Sequence, residues 1–136
     1  MQNIVRIKEV LDSISSFTSE YKECKDKPHA EQLQKSITSA KKQLLDAYTP
    51  EVSDRFDFLD AKLHSLLKEH FNSLVLAIGD LQQAHETKVR SQHVDPNITH
   101  NLILTHIHPI IQQIDHRLLA MNVTLQGLSV AAKRNP

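Results

Sequence analysis

Residues 100–128 read HNLILTHIHPIIQQIDHRLLAMNVTLQGL, and this stretch decides the fold class. One track runs His100, Leu104, Ile107, Ile111, Ile114, Leu118, Met121, Leu125 and Leu128, in steps of four and three. Such spacing draws one stripe along an α-helix. Ile98, Leu102, Ile103, Ile110 and Leu119 widen the stripe, while Asp115 and Arg117 are the only fixed charges between residues 97 and 132. A helix so poor in charge is either the buried centre of a bundle or a surface that a partner covers. Pro109 interrupts it. A proline within a helix removes a hydrogen bond and crowds the preceding turn, so the spacing predicts a kink or a break near His106–His108.

Upstream, His93-Val94-Asp95-Pro96 reads as a turn, with Asp95 as N-cap and Pro96 at the first helical position. Before it lies a long helix, expected over 50–91, with the track Val52, Phe56, Leu59, Leu63, Leu67, Phe71, Leu74, Ile78, Leu81 and His85. Unbroken, it would be about 60 Å long. Gly79 marks a possible bend in it. Two shorter helices come first. Helix 1, expected over 2–25, carries Ile4, Ile7, Leu11, Ile14, Thr18 and Tyr21, with Val10, Phe17 and Cys24 on an adjacent track. Helix 2, over 28–48, carries Ala30, Leu33, Ile37, Ala40, Leu44 and Ala47, and pairs Glu31 with Lys35 on its solvent side. Strand alternation is nearly absent. The reading is an all-α antiparallel bundle of four helices, or five if Pro109 splits the last. Helices 3 and 4 form a long hairpin. Residues 1–132 make one domain, Gly127 frays its end, and 133–136 are a tail.

Composition narrows the function. The chain has 136 residues, 16 basic and 16 acidic side chains and no net charge, which argues against a nucleic-acid binder. Two glycines leave no phosphate-cradling loop, and a single cysteine allows no internal disulfide. The N-terminus has no continuous apolar leader and no run reaches a membrane span, so a cytoplasmic location is expected, with signal-less secretion as the alternative.

Nine histidines are the unusual feature. They match no metal or catalytic motif: His85-Glu86 is followed by Thr87, Lys88 and Val89, and Asp60-x-x-x-His64 is the nearest approach to a diiron pair. No catalytic residue is assigned, and Cys24 reads as a small buried hydrophobe. A hairpin turning near residue 93 sets His85 beside His100, with His93 in the connection, and Asp80 near His106. Three imidazoles in one neighbourhood would suit a zinc-like divalent metal. The competing reading is polarity tolerated at a bundle end. His106 and His108 flank Ile107 and fall on different sides of a helix, so they do not chelate together. Full protonation would carry the chain to +9, one charge per histidine, and would oppose any histidine facing inward.

The function expected is a non-enzymatic protein-interaction module, a small helical adaptor, chaperone-like factor or effector, pairing with a partner or with itself through helices 3 and 4. Its interface would draw on Leu104, Ile107, Ile111, Ile114 and Leu118, unless these form only the internal core. The alternative is a metal-binding bundle using His85, His93 and His100, and no cofactor is otherwise expected.

Overall fold

A computed structural model describes residues 2–25, 27–48, 61–90 and 100–134. Four helices make the bundle: α1 (Gln2–Lys22), α2 (Lys27–Ala47), α3 (Ala61–Ala84) and α4 (His108–Arg134). Two π-helical segments adjoin them, His85–Arg90 after α3 and Ile103–Ile107 before α4. The expected start of helix 3 at Pro50, the turn at His93–Pro96 and the cap at Asp95 lie outside the described residues.

The chain runs up, down, up, down. α3 and α4 share the most extensive interface, followed by α1 with α2, and α1–α4 and α2–α3 close the ring. Direct contacts set the directions. His70 of α3 meets Arg117 of α4, and Leu63 meets Gly127, so this pair is antiparallel, as the hairpin reading requires. Lys8 of α1 reaches Gln126 of α4, and Tyr48 after α2 stacks on Phe71 of α3 with ring centroids 4.5 Å apart. α1 and α3 therefore lie parallel on a diagonal.

The periodic tracks become the core. Ile7, Leu11, Ile14 and Tyr21 from α1 meet Leu33, Ile37 and Leu44 from α2, and all are buried. Leu67, Leu74, Ile78 and Leu81 from α3 meet Ile111, Ile114, Leu118, Met121, Leu125 and Leu128 from α4. Removing such surface from water is the main favourable term, about 1.5–3 kcal/mol per large aliphatic side chain.

Three expectations are corrected or made specific. First, the disturbance at Pro109 is a π turn, and helical structure continues from residue 100 to Arg134. The His108 N–H bonds to Ile103 O, five residues back, immediately before the residue that has no N–H to give. A π turn holds one residue more than an α turn. The extra residue rotates the preceding segment, so Ile103 takes the buried position and Leu104, placed on the core track by sequence, is 45% exposed. Second, Gly127 does not fray the helix, which runs on through Arg134 and into the expected tail. It permits close packing: a Cβ there would lie 3.2 Å from Leu63 Cδ1. Third, Gly79 sits within continuous α3.

Candidate functional site

Among the described residues, a buried phenol and a buried imidazole meet at one end of the bundle, where α1 and α3 finish and α2 begins. Residue 85 continues the inward track Leu74, Ile78, Leu81, so the helical period carries an imidazole into the core, and His85 is 0% exposed. Tyr21 holds the equivalent last inward position of α1 and is also fully buried. Across the diagonal, Tyr21 Oη lies 2.6 Å from His85 Nδ1, and the rings meet edge to face at 5.7 Å. On the other side His85 Nε2 lies 3.2 Å from Glu31 Oε1. One proton arrangement satisfies all three groups. The phenol donates to Nδ1, and the Nε2–H of a neutral imidazole donates to the Glu31 carboxylate. Burial pushes the Tyr21 phenol well above its ordinary value of 10.0, and the nearby Cys24 and Glu31 push in the same direction. The phenol keeps its proton and remains the donor.

His100 closes the same end. Its Nδ1 donates to the backbone carbonyl of Cys24, 2.9 Å away, where α1 gives way to α2. That carbonyl lies two residues beyond the end of α1. Cys24 itself is buried, as its place on the apolar track predicts.

Of the expected metal ligands, the structure brings His85 and His100 to this end, and His93 lies outside the described residues. Among the described residues no group of three or more His, Cys, Asp or Glu side chains is placed to hold a metal ion. His85 has its Nδ1 lone pair on the Tyr21 phenol, which a metal would have to displace. Glu31, expected on the solvent side with Lys35, turns inward to His85 and keeps 22% of its side chain exposed. Sequence reading missed Tyr21 and Glu31 as partners of His85. Tyr21 carried a signal, since it ends one inward track as His85 ends another. Glu31 carried none, because it flanks the core on α2 and its choice of partner depends on how the helices assemble.

Among the described residues, the other histidines are exposed or half-buried. His70 accepts a hydrogen bond at Nδ1 from Arg117, 2.8 Å away. His106 and His116 are exposed, and His106 and His108 point to different sides of a helical backbone.

The expected interface residues divide sharply. Ile107, Ile111, Ile114 and Leu118 are between 0 and 3% exposed, covered by the chain's own helices, and only Leu104 is on the surface. The stripe faces inward because α4 touches both α1 and α3. The groove between α3 and α4 lies on a different surface. Beside the Arg117–His70 contact, α3 and α4 part to form a groove of about 400 Å³, with Leu76, Ala77 and Asp80 on one wall and Pro109, Ile110 and Arg117 on the other. Leu76 is the most exposed large hydrophobic side chain among the described residues, at 71%.

Compared with known protein families, with characterised proteins and with solved structures, the chain shows no match. No helix among the described residues is long and apolar enough to cross a membrane.

Proposed function

We propose that this chain is a non-enzymatic protein-interaction module, a small helical adaptor, chaperone-like factor or effector, whose docking face is the α3–α4 groove. The observation that carries this reading is the exposed Leu76 beside a groove of about 400 Å³ whose apolar lining includes Ala77, Pro109 and Ile110. An apolar recess with charged ends suits recognition of another protein's side chains, which need a desolvated pocket at the centre and polar groups at the rim. The Tyr21–His85–Glu31 group fits the same reading as a structural element, because its phenol and imidazole are both solvent-inaccessible.

The test is a photo-crosslinking residue placed at position 76 in cells expressing the full chain, with the exposed Lys42 of α2 as the control position. A discrete protein adduct from position 76 and none from position 42 is the expected result. No adduct at 76, or identical adducts from both positions, overturns the proposal.

A further inference from the structure

We infer that the partner seated on the α3–α4 groove is a second copy of this chain, related by a two-fold axis across the groove. The inference rests on the interaction reading above and adds the partner's identity. Its basis is the placement of charge. Asp80 stands on α3 at one end of the groove, and Arg117 stands on α4 at the other. Leu76 rises between them. In the antiparallel pair, Arg117 is level with His70 and Asp80 lies ten residues further along α3, so the two charges are separated along the helices by roughly 15 Å. A two-fold interface is isologous: whatever residue i meets in the partner, the partner's i meets in return. An axis through the middle of the groove, in the plane of the face and perpendicular to the line from Asp80 to Arg117, exchanges both the ends and the walls. The Asp80 end of one copy then faces the Arg117 end of the other, twice, with the two Leu76 side chains meeting near the axis.

The individual groups suit that arrangement. Arg117 is the only fixed cation between residues 97 and 132, so this surface has no competing cation from α4 over that span. Its guanidinium is anchored by one nitrogen on His70, which leaves further N–H donors for a partner. Asp80 is exposed and has no ion-pair partner among the described residues. Each copy therefore offers one held cation and one unused anion at matching places.

Light scattering of the purified full chain tests the inference. The expected mass is twice the 15.5 kDa of the chain, with dissociation to monomer on dilution. Asp80→Arg places like charges opposite one another at both ends and should weaken the dimer by about tenfold or more, as should Arg117→Asp. Mixing the two variants restores opposite charges at both ends, so a heterodimer should re-form at near the original affinity. Circular dichroism establishes that each variant is folded, and the mixture serves as its own control because an unfolded variant restores nothing. A monomer at every concentration overturns the inference. So does a dimer that ignores both substitutions, or singly weakened dimers that mixing fails to rescue. If the chain is monomeric but position 76 crosslinks to a different protein in cells, self-pairing fails and the interaction reading survives. If position 76 yields no adduct at all, both fail.

Discussion

The phenol of Tyr21 keeps its proton and donates a hydrogen bond to an imidazole that has no access to water. Replacing Tyr21 with Phe removes that donor and leaves His85 Nδ1 buried without it, at an expected cost of about 1–3 kcal/mol in chemical denaturation. Combining Tyr21→Phe with His85→Leu should cost less than the sum of the single changes, because neither partner is then left desolvated and alone. Tyr21 also predicts an alkaline limit. Its folded-state proton is held more tightly than the unfolded one, so its contribution to stability is complete below about pH 10 and is lost as pH rises beyond that value. Denaturation curves recorded between pH 8 and pH 11 should therefore fall more steeply for the parent chain than for Tyr21→Phe (a pH window set by the ordinary phenol value). Equal slopes would show that the phenol ionises without penalty in the fold.

At the scale of the helix, the two glycines give opposed expectations. A Cβ on Gly79 would meet nothing within 4 Å, so Gly79→Ala should stabilise α3 by about 0.5–1 kcal/mol through helix propensity alone. A Cβ on Gly127 would press on Leu63, so Gly127→Ala should gain distinctly less. Thermal melts of the two variants check the order. Helix identity and the inward faces of α1, α2 and α3 were legible in the sequence, since the steps of three and four through Ile7, Leu33, Ile37, Leu74 and Ile78 are the stripe that gets buried. The α3–α4 pairing was legible too, because a short connection forces antiparallel neighbours. The exchange of Leu104 for Ile103 was not. Periodicity assumes a constant turn, and the π turn before Pro109 adds a residue that no apolar count displays. Nor was the groove legible. It depends on where two helices diverge, which is a property of the pair rather than of either pattern.

Over the whole molecule, burial separates residues that hold the fold from residues available to a partner. Ile114→Ala should cost about 2–5 kcal/mol of stability, as a cavity in the centre of the bundle does, whereas Leu76→Ala should change monomer stability by less than about 0.5 kcal/mol. Denaturation of both variants under dissociating conditions distinguishes the roles. The polar end of the bundle has a further consequence, in the order of assembly. Tyr21 and His85 are 64 residues apart in the chain, and Cys24 and His100 are 76 apart, so both bonds wait until sequence-distant helices have docked. The α1–α2 and α3–α4 hairpins are the more local contacts and have less loop entropy to overcome. The expected route is two hairpins forming first and the diagonal bond closing behind them. Tyr21→Phe should then leave the folding rate nearly unchanged and speed unfolding by most of its equilibrium cost. The hydrogen bond between two buried rings thus acts as a latch, setting how long the assembled bundle lasts and not how quickly it forms.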